Sequence, residues 1–251
     1  MRPFNQHRRE MDKTKRICLW SGPRNISTAL MYSFAQRSDT KVYDEPLYAH
    51  YLKNTSARDF HPGADEILAG LDNDGERVIE MMMGSHATPV VFFKNMTHHL
   101  LELDRAFMKD TINVILTRNP VEMLPSFAKV IPNPTLTDVG YQDHVELLEY
   151  LKANNIKPIV LDAKNTLIDP MGVLSKFCDL VEIPFEHSML SWNASARPED
   201  GVWAKYWYQS VHQSTGFEKY KPKTTPFPNR LKPLLEQCMP LYNQLKHLAL
   251  E

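Results

Sequence analysis

The amino-acid sequence predicts an α/β fold, a three-layer P-loop-type parallel sheet flanked by helices, with a helical cap insertion. Three observations support this fold class. Short apolar runs alternate with helical patterns along the chain. The runs are nearly continuous in apolar residues, as expected of strands that are buried on both faces. Polar residues with reactive or charged side chains follow several of these runs, where a parallel sheet presents its carboxyl ends to ligands.

The elements follow from these patterns in chain order. Five strands are predicted at 16–20, 41–46, 89–95, 111–118 and 157–163. Helices are predicted at 27–37, 98–110, 143–155 and 170–182, where apolar residues recur with helical spacing. Residues 50–86 are polar-rich and helical in pattern, which predicts the cap. Residues 186–229 are rich in Trp, Tyr, Ser and Pro, which predicts a long ordered loop region for substrate or nucleotide.

Length and composition indicate one globular domain. The chain has 251 residues, of which 43% are hydrophobic and 24% charged. That length suffices for one well-buried domain and is short for two. We therefore expect a flexible leader over 1–15 and a single domain over 16–251. The formal net charge of −1 argues against a nucleic-acid partner, and no apolar run is long enough to cross a bilayer. The sequence leaves the oligomeric state open.

The cysteines predict a cytoplasmic protein. Cys18, Cys178 and Cys238 lie far apart and form no C-x-x-C pair. This spacing is typical of reduced, buried thiols and not of a disulfide framework. The basic beginning of the chain is not followed by an apolar segment, so we expect no secretory signal.

The loop after the first strand is the first candidate ligand site. It runs Ser21-Gly22-Pro23-Arg24-Asn25-Ile26-Ser27-Thr28 and leads into a predicted helix, whose free N–H groups attract anions. Arg24 adds a permanent positive charge, and Ser27 and Thr28 add hydroxyl groups. The Gly-Lys-Ser/Thr ending of a Walker A loop is absent. The alternative is an ordinary helix start capped by Asn25 or Ser27.

A second candidate site follows the fourth strand. Arg118 ends that strand, Pro120 begins a helix, and Ser126 lies about two helical turns beyond Arg118. An arginine fork and a hydroxyl group at this spacing can bind one phosphate together. Taken alone, Arg-Asn-Pro is also a common helix start.

Together the two stretches resemble the sulfotransferase superfamily, which uses 3′-phosphoadenosine 5′-phosphosulfate (PAPS). The first loop is similar to the family's 5′-phosphosulfate loop, Pro-Lys/Arg-Ser-Gly-Ser/Thr-Thr, with Asn25-Ile26 in place of its small pair. The spacing of Arg118 and Ser126 is that of the family's 3′-phosphate site. Residues 160–185 resemble the segment that closes the family's core. The chain looks closest to bacterial and plant sulfotransferase-like proteins associated with branched-chain aminotransferases.

The resemblance implies an activity and its donor. The expected reaction transfers a sulfonate group from PAPS, leaving PAP, to a hydroxyl or amine of a small-molecule acceptor, and no metal is expected. The residues implied in donor binding are Gly22, Pro23, Arg24, Asn25, Ile26, Ser27, Thr28, Arg118 and Ser126. A late loop with Thr215 and Gly216 loosely resembles the family's loop over the nucleotide.

The resemblance also suggests catalytic residues. Arg24 and Lys94 would stabilise the transferring group. Glu45 precedes a proline, as the general base does in trehalose-type sulfotransferases. His98 follows Lys94 by four residues, near the catalytic histidine of cytosolic members. The alternative for Glu45 is a helix cap paired with a nearby cation, and adjacent histidines do not easily converge on a metal.

Two other functions stay open at this point. A protein that binds PAP or PAPS without turning it over would keep the anion sites, and the altered loop is compatible with that. A P-loop kinase would have the same fold and would need a carboxylate for Mg²⁺, for which Asp162 is the candidate. The missing Gly-Lys-Ser/Thr ending argues against the kinase.

Overall fold

The computed structural model describes residues 14–251 and confirms the α/β prediction. The strands are β1 (Lys15–Ser21), β2 (Thr40–Asp44), β3 (Val90–Met96), β4 (Ile112–Thr117) and β5 (Ile159–Asp162). They form a parallel sheet in the order β2-β3-β1-β4-β5. Residues 1–13 of the predicted leader lie outside the described residues, and Lys15 already pairs with Val90.

Helices cover both faces of the sheet and its carboxyl end. They are α1 (Ser27–Phe34), α2 (Tyr48–Asn54), α3 (Ala64–Gly70), α4 (Gly75–Met83), α5 (Pro120–Phe127), α6 (Leu136–Val139), α7 (Tyr141–Ala153), α8 (Ala163–Ile168), α9 (Pro170–Leu180), α10 (Ala204–Trp207), α11 (Gln209–His212) and α12 (Lys232–Lys246). Short 3₁₀ helices lie at Ser56–Asp59, Thr97–Leu100, Ala106–Asp110, His187–Leu190 and Asn229–Leu231. No helix among the described residues is long and apolar enough to cross a membrane.

Two apolar layers bury the central strand, because successive side chains of a strand point to opposite faces. Ile17 and Leu19 belong to the cluster formed with α1 and α9. Cys18 and Trp20 belong to the opposite cluster, which includes the apolar side of α7. The unbroken apolar run of β1 is therefore a consequence of its place at the centre of a covered parallel sheet.

The structure corrects the helix predicted at 98–110. Two 3₁₀ turns take its place, because Glu102 adopts a positive φ of 56° and ends the first turn. The carboxylate of Asp104 then accepts the N–H of Ala106 and starts the second. The sequence analysis also missed α12, whose buried face is Leu234, Cys238, Tyr242 and Leu245 and whose pattern is interrupted by Pro240.

The segment predicted as a cap packs against the late loop region. Helices α2 and α3 share an apolar cluster with Trp203, Ala204 and Tyr208. The late region is not continuous loop, since it contains α10, α11 and one 3₁₀ helix. Two segments that are distant in sequence thus lie together near the carboxyl ends of the strands.

Candidate active site

One cavity lies at the carboxyl ends of four strands. Its volume is about 350 Å³, within the usual range of small-molecule sites. The residues proposed from sequence that line it are Gly22, Pro23, Arg24, Asn25, Ile26, Ser27, Thr28, Glu45, Lys94, His98, Arg118, Ser126 and Gly216. Thr215 is not among the lining residues, and its carbonyl accepts the N–H of Trp192. The structure therefore brings these candidates together, with Thr215 as the exception.

The loop between β1 and α1 is fastened by the two residues that depart from the family pattern. Asn25 Oδ1 accepts the N–H of Ser27 at 3.0 Å, and its amide donates to the Leu116 carbonyl of β4. Ile26 packs against the core cluster beneath the loop. A Cβ at Gly22 would lie 3.0 Å from the Val139 carbonyl oxygen, so a larger residue there would make a tight contact with the backbone. Asn25 and Ile26 thus anchor this loop to the fold.

Two arginines from separate motifs meet beside this loop. Arg24 Nε donates to Ser126 Oγ at 3.3 Å, and its Nη1 donates to the carbonyl of Trp207 at 3.0 Å. Arg118 Nη1 donates to the Arg24 carbonyl at 2.9 Å. Burial and then the charge of Arg118 lower the pKa of Arg24. Two neighbouring cations that share no carboxylate form a site for an anion.

The Nε of Arg118 is a buried donor without a hydrogen-bond partner in the described residues. The carboxylate of Glu122 lies 3.5 Å away and pairs with it only loosely. The same carboxylate accepts the hydroxyl of Tyr220, and the backbone carbonyl of Glu122 accepts from Lys223. Lys223 is a cation near the arginines that the sequence analysis did not single out. Its place depends on how the late region folds back onto α5.

A closed hydrogen-bond network occupies the ends of β2 and β3. Lys94 is 1% exposed and donates to Asp44 at 2.8 Å, to the hydroxyl of Tyr208 at 2.6 Å and to Glu45. The Tyr208 hydroxyl accepts a second hydrogen bond from Trp203 Nε1 at 3.0 Å and donates to Asp44. All three N–H donors of Lys94 and the full capacity of the Tyr208 hydroxyl are therefore used. The sequence analysis did not assign Tyr208 to this network.

This network changes the protonation of its members in a direction relevant to catalysis. Burial raises the pKa of Glu45, and the nearby Asp44 adds to the rise, while Lys94 opposes it. For Lys94, burial acts to lower the pKa, but the two carboxylates more than compensate and raise it. Lys94 thus stays protonated, and Glu45 is a carboxyl group shifted upward, as a general base near neutral pH needs to be.

The two adjacent histidines line the cavity in the neutral form. Burial, and then the proximity of His61 and His144, lower the pKa of His98 to about 3. The ring of His99 stacks between Tyr48 and Tyr51 at centroid distances of 4.8 and 4.7 Å, and burial keeps its pKa well below the usual value. A group that holds a proton so weakly is a poor base at neutral pH, which counts against His98 as a general base.

Tyr48, His61 and Asp138 are among the lining residues that were not found by sequence reasoning. Tyr48 and His61 come from the cap, and their side chains share a 2.8 Å hydrogen bond. Asp138 comes from α6 and also lines the cavity. None of them belongs to a motif with a recognisable spacing. Their contribution follows from the packing of the cap and could not be predicted from local sequence.

Comparison with known proteins shows which family the sequence of this chain matches. The family model described as Sulfotransferase domain matches residues 15–249. The branched-chain-amino-acid aminotransferase-like proteins 2 and 1 of Arabidopsis thaliana are 42% and 44% identical over 232 and 229 residues. These alignments cover 92% and 90% of this chain and 41% of each relative. The chain therefore spans less than half the length of these curated relatives.

Three solved structures have a similar fold at low sequence identity. They are the sulfotransferase domain from the curacin biosynthetic pathway (TM-score 0.50, 15% identity, covering 89% of this chain and 97% of that one), the sulfotransferase domain from the Synechococcus PCC 7002 olefin synthase (0.51, 13%, 90% and 95%) and the sulfotransferase from Alicyclobacillus acidocaldarius (0.51, 11%, 94% and 96%). At these identities the likeness concerns the fold alone.

Proposed function

The chain belongs to the sulfotransferase domain family, and on that premise we propose that it transfers a sulfonate group from PAPS to a hydroxyl or amine of a small-molecule acceptor. One observation carries this proposal. A single cavity combines two arginines that carboxylates do not fully neutralise with a buried carboxyl group whose pKa is raised. The first feature suits a donor with several phosphates. The second suits removal of a proton from an acceptor.

The donor end of the cavity fits an anionic nucleotide. Arg24, Arg118 and Ser126 would hold the phosphate groups, together with the N–H groups at the start of α1. The unpartnered Nε of Arg118 is the clearest sign of fit, because a buried donor without an acceptor is costly. Bound PAPS would supply the sulfonate group and a phosphate as the leaving group.

The inner end supplies the proton acceptor. Glu45 lines the cavity, and its raised pKa makes it a stronger base than an ordinary carboxylate. A carboxylate at this position takes the proton of a hydroxyl or amine as that group forms its bond to sulfur. Lys94 stays positively charged beside it and would stabilise negative charge that develops in the cavity once one of its hydrogen bonds opens.

Binding of PAP or PAPS without transfer is the second candidate, and one observation favours it. The three N–H donors of Lys94 are all engaged by Asp44, Glu45 and Tyr208. Lys94 can therefore donate to a bound sulfonate only if one of these hydrogen bonds opens. A cavity that keeps them closed would bind the nucleotide and leave it intact.

The kinase alternative loses its candidate metal ligand. Asp162 Oδ1 accepts the N–H groups of Lys164 and Asn165 at the start of α8, and Oδ2 accepts the hydroxyl of Tyr242. It does not line the cavity. Asp162 is thus engaged in holding α8 and α12 in place.

Calorimetry followed by a transfer assay tests the proposal. PAP should bind without Mg²⁺ and more tightly than ATP, and tighter ATP binding that requires Mg²⁺ would contradict the proposal. Radiolabelled PAPS is then incubated with a panel of small alcohols and amines, and labelled product is expected. PAP binding with no transfer to any acceptor supports the binding-only candidate instead. Arg24→Met, which removes one cation of the donor end, should weaken PAP binding, whereas the exposed Arg77→Met should not.

A further inference from the structure

One wall of the cavity runs from Glu45 past Tyr48 and His61 to Asp138, and we call these four residues the acceptor wall. All four line the cavity. The N–H of Tyr48 donates to the backbone carbonyl of Glu45 at 3.0 Å, so the two residues are adjacent on this wall. The Tyr48 hydroxyl lies 2.8 Å from His61 Nδ1, and Asp138 is close enough for its charge to act on His61. The same wall of the cavity thus holds the proposed base and a second carboxylate.

The acceptor wall carries negative charge without a matching cation. Burial lowers the pKa of His61, which is therefore neutral near pH 7, although Asp138 partly opposes the shift. The charge of Lys94 is already shared by Asp44 and Glu45. Within residues 14–251, no lysine, arginine or histidine forms an ion pair with Asp138. A bound anion would be repelled here, whereas a cation would be attracted.

Asp138 is held in place with one oxygen free. Its Oδ2 accepts the N–H and the hydroxyl of Thr135, both at 2.7 Å, in a capping box at the start of α6. Among the described residues no hydrogen bond reaches Oδ1. The capping box therefore fixes the carboxylate on the cavity wall and leaves an oxygen for a ligand. The rings of Tyr48 and Trp207 lie next to His61 and also line the cavity.

We propose that the acceptor is an amino alcohol or aminophenol, whose protonated amine is held by Asp138 while its hydroxyl lies at Glu45. This inference rests on the proposed function. The hydroxyl oxygen forms the new bond to sulfur and its proton passes to Glu45. The bond between sulfur and the bridging phosphate oxygen breaks, and its electron pair leaves on PAP. Because the amine stays protonated at Asp138, it is not the nucleophile.

Titration calorimetry of the PAP-saturated protein at pH 7 tests this inference with three phenols that differ only in charge. Tyramine carries an ammonium group, 4-ethylphenol is neutral, and 3-(4-hydroxyphenyl)propionate carries a carboxylate. We expect tyramine to bind about 10-fold or more tightly than 4-ethylphenol, in line with one charged hydrogen bond. The carboxylate probe should bind most weakly.

Two variants separate charge from structure. Asp138→Asn should bring the affinity for tyramine down to that for 4-ethylphenol, whereas Thr135→Ala disturbs the capping box, keeps the carboxylate and should retain the preference. The pKa of His61, followed by NMR, should fall further in Asp138→Asn, which verifies that the variant is folded with the two residues adjacent. The inference would be overturned if the three probes bound with equal affinity or did not bind at all. It would also be overturned if Asp138→Asn bound tyramine as tightly as the wild type does. PAP binding is measured first, so a failure of the donor site is seen separately.

Discussion

The two ends of the cavity handle charge in opposite ways. At the donor end, Arg24 and Arg118 donate to a serine hydroxyl and to backbone carbonyls, and the Nε of Arg118 has no partner in the described residues. At the inner end, Lys94 is surrounded by two carboxylates and a tyrosine hydroxyl, and every donor is used. The donor end is thus incomplete without an anion, while the inner end is complete within the protein.

This difference indicates a division of roles between the two ends. Arg24 is bound to neutral oxygens, and Arg118 pairs only loosely with Glu122, so their charge stays available for a ligand and the donor end is suited to binding. A buried lysine neutralised by carboxylates contributes little net attraction for a ligand but fixes the position and protonation of its partners. We therefore expect changes at the donor end to alter nucleotide affinity, and changes at the inner end to alter catalysis and stability.

The largest expected effect is on transfer, at Glu45. Under the proposed function, Glu45→Gln should lower the rate of transfer from PAPS by about 10²- to 10⁴-fold, the usual worth of a general base. The affinity for PAP, measured by calorimetry, should stay unchanged. Glu66→Gln, an exposed change of the same kind, should be neutral. Full transfer activity in Glu45→Gln would remove Glu45 from the role of base.

The same residue predicts the pH dependence of transfer. A base acts only when it is deprotonated, and the pKa of Glu45 is raised by burial. Activity should therefore fall as the pH decreases through that raised pKa, at a higher pH than an ordinary glutamate would give. A pH–rate profile checks this. If the residual activity of Glu45→Gln falls at the same low pH as the activity of the wild type, the titrating group is not Glu45.

Lys94→Met sharpens the comparison through stability. The change leaves two buried carboxylates without their cation, so the free energy of unfolding should fall by about 3–5 kcal/mol. Denaturant titration of the wild type and the variant measures it. The control is Lys205→Met, whose salt bridge with Glu66 is half-exposed on both sides and should contribute at most about 1 kcal/mol. Equal losses in the two variants would mean that the inner network is not closed to water.

Arg118→Met tests the donor end. It removes a charge-assisted contact with a phosphate, so the Kd for PAP should rise by about 10- to 100-fold. The free energy of unfolding should change far less than in Lys94→Met, since Arg118 loses only one hydrogen bond, to the Arg24 carbonyl, and a loose pair with Glu122. Arg77→Met on the exposed surface of α4 is the control. An unchanged Kd for PAP would reverse the assignment of the two ends.

The smallest expected effect is that of Tyr208→Phe. Loss of the hydroxyl removes one partner each from Lys94, Asp44 and Trp203, but Asp44 keeps Lys94 and the N–H of Gly201. We expect the free energy of unfolding to fall by about 1–2 kcal/mol. The matched change Tyr206→Phe, two residues earlier at an exposed position, should have almost no effect. A loss as large as that of Lys94→Met would show that Tyr208 and not the lysine holds the network together.

Several features of the fold and the site could be predicted because they are local in sequence. Short strand-like runs that alternate with helical patterns predicted all five strands, and the turns that follow them supplied the candidates Arg24, Glu45 and Arg118. The helix predicted at 98–110 was wrong because a positive φ at Glu102 splits the segment, which periodicity cannot reveal. The helix α12 was missed because Pro233 and Pro240 obscure its pattern.

The sequence by itself determined the order of strands and loops, the parallel sheet and the family. Apolar patterns and short motifs that are local in the chain are enough to predict these features, together with the rule that ligands bind at the carboxyl ends of parallel strands. Only the tertiary structure decided which charges are free. Tyr208 lies 114 positions beyond Lys94 and yet donates to the same carboxylate that binds the lysine. The charge available at each end of the cavity is thus set by burial and by distant partners, which the sequence does not display.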